Sequence, residues 1–248
     1  MNHDKSDIDL FRRKIYDLFF SGADPHYLLK MIRKRIRLAV ISGNDDLVIQ
    51  LRLLMGELYL KSRKSISAGK QFRWVLKQSS YTVDALIGIA KSYEASRHPG
   101  RADDWLKKAY QIAKENQDYA GQLQSLDQLA TYAVQRKDMN EVATILQTMC
   151  VLLDNAPRMK HSYLSTAWWL IADKKGTYSI PYLECYIKHV LKHGHVRSSV
   201  IRYAVQAYQQ LGVTEQQIRE LLMKLAIYAT DEHVFEMYRE SIESALKA

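Results

Sequence analysis

Between Leu54 and Met149 one sparse pattern of residue types recurs, and it constrains the fold more than any local signal. The first copy is Gly56, Tyr59, Ala68, Phe72 and Val75. Adding 34 to each number gives Ala90, Tyr93, Ala102, Leu106 and Ala109, the same succession of small, aromatic, small, large apolar and small or branched residues. A third copy, Ala130, Ala133, Val142, Leu146 and Met149, follows after 40 residues. A fixed period in this range is the signature of stacked helical hairpins. Residues three apart, such as Gly56 and Tyr59, share one face of a helix, and the i, i+4, i+7 set Ala68, Phe72 and Val75 shares a face of the next. The small residue lets two backbones approach closely while Tyr and Phe or Leu fill the space beside it. A single hairpin leaves part of its apolar surface uncovered, so neighbours must stack on it.

This spacing resembles the tetratricopeptide repeat, which has a small residue, an aromatic three later, a small residue nine after that and a large apolar residue at plus four. The nearest match is Ala85-Leu86-Ile87-Gly88-Ile89-Ala90-Lys91-Ser92-Tyr93 followed by Ala102, Leu106 and Ala109. The resemblance covers residues 50–150, and the flanks share only helical character. The chain departs from the family in lacking its early Trp, in having Ser80 or Asn116 where a closing Pro is usual, and in placing Ala133 at the third aromatic position. The longer third unit predicts longer helices. The resemblance implies an all-α fold, a right-handed superhelix of stacked antiparallel hairpins (an α-solenoid). It also implies that the first helix of each hairpin lines a concave face on which partners lie. The matching positions are Gln50, Leu53, Glu57, Leu60 and Lys61, then Asp84, Ile87, Lys91, Glu94 and Ala95, then Gln124, Asp127, Thr131, Val134 and Gln135. Leu53 and Ile87 are the expected apolar contacts in a groove of mixed sign. The Lys and Asn set with which some repeats grip a C-terminal carboxylate is missing.

Taken in order, the chain predicts about 13 helices and no strand, in one domain over residues 1–248. A helix pair occupies 1–44, the repeats 45–154 and further hairpins 155–248. Asp7 is the expected N-cap of a helix from Ile8 to Phe20, and Asp24 caps a second that has Pro25 at its first position, where proline is favoured. Asp45, Ser65 or Ser67, Thr82 and Asn140 are the expected openings of later helices. Arg197 to Leu211, Thr214 to Tyr228 and Asp231 to Leu246 follow Arg158 to Ala172 and Ser179 to His193. Asp154-Asn155-Ala156-Pro157 reads as a hairpin connection.

With 4 Pro and 10 Gly in 248 residues, the composition suits long helices. Cys150 and Cys185 are far apart in sequence, which argues against a disulfide framework or a Cys-based zinc site and suits a reducing compartment. The N-terminal residues lack an apolar signal core and no window is apolar enough to span a membrane, so the expected address is cytoplasmic. The net charge of +9 admits phosphates, acidic proteins or anionic lipid without choosing among them. Lys30, Arg33, Lys34 and Arg37 share one helix face, with Arg12, Arg13 and Lys14 before them and Lys61, Arg63, Lys64, Lys70 and Arg73 after. A solvated face explains such a cluster, and so does an acidic protein or nucleic acid.

Few residues suggest chemistry. His189 and His193, four apart, are placed to meet a metal, but the intervening Glu of the zinc-protease motif is absent, and a helix end at Gly194 explains His193 equally. In Trp168-Trp169 one ring is expected in the core and the other at a groove. Asp45-Asp46 and Asp103-Asp104 read as helix-start carboxylates. No cofactor, metal site or catalytic constellation is expected. The sequence therefore points to a non-enzymatic scaffold, adaptor or chaperone-like regulator that binds a segment of a partner protein. The alternatives are a peptide- or ligand-responsive regulatory subunit of a transcriptional system, or a nucleic-acid-binding α-solenoid.

Overall fold

The computed structural model describes residues 2–78, 82–158 and 163–248, apart from the side chains of residues 2–6 and Thr82. Among them are thirteen α-helices and no strand, so the chain is all-α. The helices are α1 (Asn2–Phe20), α2 (Pro25–Ile41), α3 (Asp45–Lys61), α4 (Ser65–Gln78), α5 (Thr82–Ala95), α6 (Pro99–Glu115), α7 (Tyr119–Arg136), α8 (Met139–Asn155), α9 (Ser165–Ala172), α10 (Ile180–Lys192), α11 (Ser198–Gln210), α12 (Glu215–Met223) and α13 (Glu232–Leu246). Two 3-10 turns, Gly176–Ser179 and Lys224–Tyr228, precede α10 and follow α12. None of the described helices is long and apolar enough to cross a membrane. The chain divides into two compact units, Met1–Ile112 and Ala113–Ala248.

In the first unit α1, α3 and α5 touch one another in one layer, while α2 and α4 pack on α3 from a second. In the second unit α7, α9, α11 and α13 form one row, and α8 and α10, with the turn Lys224–Tyr228, form the other. Consecutive helices thus pack in sequence, as in a solenoid.

Local chemistry sets this regularity. Each helix ends in a Schellman turn, in which an N–H six residues along bonds back to the third-last carbonyl. Asn44 N–H reaches Ala39 O at 2.9 Å, Lys64 reaches Tyr59 at 2.8 Å, His98 reaches Tyr93 at 2.9 Å, Asp118 reaches Ala113 at 2.8 Å and Asp138 reaches Ala133 at 3.0 Å. The turn needs one left-handed residue, supplied by Gly43 but elsewhere by Arg63, Arg97, Gln117 and Lys137. The residue after it often caps the next helix at once. Asn44 accepts from Leu47 N–H, Asp118 from Gly121 N–H and Asp138 from Glu141 N–H. The accepting carbonyl advances by 20 residues from Ala39 to Tyr59, and again from Tyr93 to Ala113 to Ala133. The aromatic position of the sequence pattern is therefore also the anchor of the turn.

The pattern residues form the core, with every one buried except Tyr93, which is half-buried. Phe72 is clamped between glycines. A Cβ at Gly56 would stand 2.6 Å from Phe72 Cζ, and one at Gly88 would stand 2.4 Å from Cδ1. Only bare backbone on α3 and α5 leaves room for that ring.

Several expected boundaries move. Asp7 lies inside α1, where its carboxylate pairs with Arg35 rather than capping. Asp138, not Asn140, caps α8, because it directly follows the left-handed Lys137. Asp103 and Asp104 fall in the second turn of α6, whose first turn has no acid. The helix expected from Arg158 begins only at Ser165. Thr82 is the first residue of α5; its side chain and Ser80 lie outside the described residues. The longer third unit does have longer helices: α6, α7 and α8 have 17, 18 and 17 residues against 14 in α4 and α5.

Candidate interaction surfaces

On the α1–α3–α5 layer of the first unit, the expected partner-facing positions divide by depth. Lys61 and Asp84 are exposed, and Gln50, Glu57, Lys91 and Glu94 are half-buried. Leu53 and Ile87 are only 6% and 2% exposed, so they pack into the interior rather than standing as apolar contacts. Two of the polar groups are already engaged. Tyr16 O–H donates to Glu57, and burial together with that carboxylate pushes the phenol well above its usual range. Lys61 Nζ lies 5.4 Å from the Tyr16 ring and 5.1 Å from Phe20, within cation–π reach. Burial raises the Glu94 carboxyl above its usual range, opposed by Lys91. This layer offers polar groups of both signs over a packed apolar floor.

In the second unit the expected positions serve the fold. Gln135 is exposed and Gln124 half-buried, but Asp127, Thr131 and Val134 are buried. Asp127 accepts from Thr166 N–H at 2.9 Å and Ser165 N–H at 3.1 Å, and so caps α9 from a neighbouring helix. Thr131 and Thr166 hydroxyls both donate to the Asp127 carbonyl, at 2.7 and 2.8 Å. Burial raises the Asp127 carboxyl, against the lowering effect of these N–H and hydroxyl donors. Asp127 is therefore no ligand contact; it pegs the start of α9.

The helix so held carries Trp168 and Trp169, which are 47% and 39% exposed and meet edge to face at 4.9 Å between ring centres. The expectation that one of them lies in the core does not hold. With Leu164, Ser165, Ser199 and Tyr203 they line an open cleft of about 480 Å³. α9 has only eight residues and is apolar on nearly every side, so its sequence gives no direction to bury.

Charge divides sharply. Residues 1–112 hold 21 Lys and Arg against 12 Asp and Glu, whereas residues 113–248 hold 15 of each, so the net +9 belongs to the first unit. Within it, α2 has five cations and no acid, and α4 has three cations and no acid. Lys30, Arg33, Lys34 and Arg37 of α2 are all exposed, as are Lys70, Arg73 and Lys77 of α4. Arg33 donates to Tyr59 O–H at 2.9 Å.

The remaining suspects stay structural. His189 is buried, with Nδ1 2.9 Å from Leu153 O and its ring centre 4.6 Å from that of His193. Burial holds its imidazole below the usual range. Among the described residues no three His, Cys, Asp or Glu side chains are grouped to hold a metal. Cys150 and Cys185, distant in sequence, share a thiol hydrogen bond between α8 and α10, and Cys150 Sγ lies 3.7 Å from Pro181 O, one turn before Cys185. That bond pushes the Cys150 thiol up and draws Cys185 down. No protein-family profile and no curated protein matches the chain.

Proposed function

We propose that this chain is a non-enzymatic interaction scaffold of the tetratricopeptide-like kind, holding a segment of another protein against the α1–α3–α5 layer of its first unit. What supports the reading is the placement of Glu57, Lys61, Lys91 and Glu94 on two helices that pack side by side, partly open and of both signs above a closed apolar floor. A preformed surface of that kind orients a peptide through its polar groups and needs no chemistry. Trp168, Trp169 and Tyr203 give the second unit a separate contact patch of the side-chain types that dominate interface energies.

The test is affinity capture at moderate salt with identification of the bound protein, comparing wild type with Lys61→Glu/Lys91→Glu. A stoichiometric protein lost from the variant, with an unchanged melt, is the expected result. Undiminished capture by the variant counts against this layer, and nucleic acid that dissociates as salt rises counts against the reading as a whole.

A further inference from the structure

The outer side of α2 combines cations with exposed aliphatic groups. Leu38 and Ile41 are 57% and 82% exposed, and Tyr27 is also open. At 100° per residue, Tyr27, Lys30, Lys34, Arg37, Leu38 and Ile41 lie on one side of the helix, opposite the buried Leu28, Leu29, Ile32, Ile36 and Ala39. Beside this stripe runs a groove of about 590 Å³ floored by Phe11, Met31, Leu38 and Leu47 and rimmed by Lys34 and Arg35.

α1 already shows how this edge receives an acidic helix. Asp7 pairs with Arg35, and Phe11, four residues later, lies with its ring centre 4.4 Å from the same guanidinium. Positions four apart share a helix face, so one short stretch supplies a carboxylate and a large apolar group together. Lys30, Lys34 and Arg37 stand beyond that contact, and α2 carries no acid to neutralise them.

We infer that the groove and outer stripe of α2 dock an acidic amphipathic helix of a partner protein, one with carboxylates four residues from large apolar side chains. The apolar groups enter between Phe11, Met31, Leu38 and Leu47, and the carboxylates meet Lys30, Lys34 and Arg37. A concave apolar floor fits an inserted side chain better than it fits a phosphate backbone, which would leave the groove empty, or a lipid surface, which is met by protruding groups. The inference rests on the reading of this chain as a protein-binding scaffold but uses a different face from α3 and α5.

The experiment titrates the intact chain with a fluorescein-labelled synthetic helix of Leu and Glu at amphipathic spacing, and with copies in which Gln or Lys replaces Glu. The Glu peptide is expected to bind at least tenfold more tightly than the Gln copy. Lys34→Glu/Arg37→Glu and Leu38→Asp, all at open positions, should each weaken it at least tenfold with unchanged melts. Lys70→Glu/Arg73→Glu on α4 should change it less than twofold. Equal binding of Glu and Gln copies, or equal loss from the α4 variant, overturns the proposal. So does tighter binding of a DNA duplex or of phosphatidylserine vesicles than of the Glu peptide. Lys61→Glu/Lys91→Glu separates the two readings: if it loses the captured protein while no chain binds the Glu peptide, only this inference falls. If the Glu peptide binds while the same variant keeps its captured protein, the α1–α3–α5 assignment falls.

Discussion

Gly88→Ala tests the packing of the first unit most directly. Alanine is the better helix former by about 0.8–1 kcal/mol, so local propensity alone predicts a more stable protein. The structure predicts the reverse. The new methyl would meet Phe72 Cδ1, Cε1 and Cγ at 2.4, 2.5 and 2.6 Å, and Cγ is the rigid root of the ring. Moving the ring away drives it toward Gly56, where the tip is already close to the backbone. Overpacking of a site closed on both sides costs about 3 kcal/mol, at the upper end of its usual range. The net loss is about 2 kcal/mol, or roughly 8 °C in melting temperature for a unit of this size. The assay is a thermal melt followed by the fluorescence of Trp74 and Trp105, in a Trp168→Phe/Trp169→Phe background, so that the first unit is observed without assuming that the whole chain melts as one. Phe72→Leu should cost about 1 kcal/mol alone and recover about 1–2 kcal/mol when combined with Gly88→Ala, because contacting sites couple. A Gly88→Ala protein that melts at or above the wild-type temperature would refute the argument.

Three other outcomes are expected. Asp127→Ala leaves Ser165 and Thr166 N–H groups without their cap, costing about 1–3 kcal/mol, and should shift the emission of Trp168 and Trp169 while leaving that of Trp74 and Trp105 unchanged. His189 is held below its ordinary range by burial, so its neutral form favours the folded state. The stability this confers is complete above the unfolded value of about 6.5 and is lost as pH falls through the folded one; urea titrations at pH 7 and pH 5 should differ more for wild type than for His189→Gln. Dilute hydrogen peroxide should join Cys150 to Cys185, the two thiols giving up two protons and two electrons while peroxide becomes two waters. Mass spectrometry should find a mass loss of two hydrogens, reversed by dithiothreitol and absent from Cys185→Ser.

Much of this architecture was legible because it is local and repeated. Gly56, Ala90 and Ala130 mark helix contacts, and the same spacing that revealed them also fixes the turns at Tyr59, Tyr93 and Ala133. What was not legible depends on distant partners. Asp127 sits where the repeat directs a residue outward, but the start of α9, 38 residues on, turns it into a cap. Cys150 and Cys185 meet only because α8 and α10 pack. Gly88 reads as a weak helix residue until Phe72 is seen to occupy its missing side chain. The acid-free composition of α2 and α4 was visible in the letters, yet it took on meaning only once both helices were found in one layer against α3.

The turns carry a consequence for how such a gene can change length. Each joint uses the same left-handed kink at nearly the same interval, and most joints do so without glycine, so one joint can stand in for another. A duplication or deletion of 40 residues, cut anywhere within the register, would add or remove a whole hairpin and leave every other joint in phase. A slip of any other size would rotate the following helices and turn buried residues such as Val142 and Leu146 toward water.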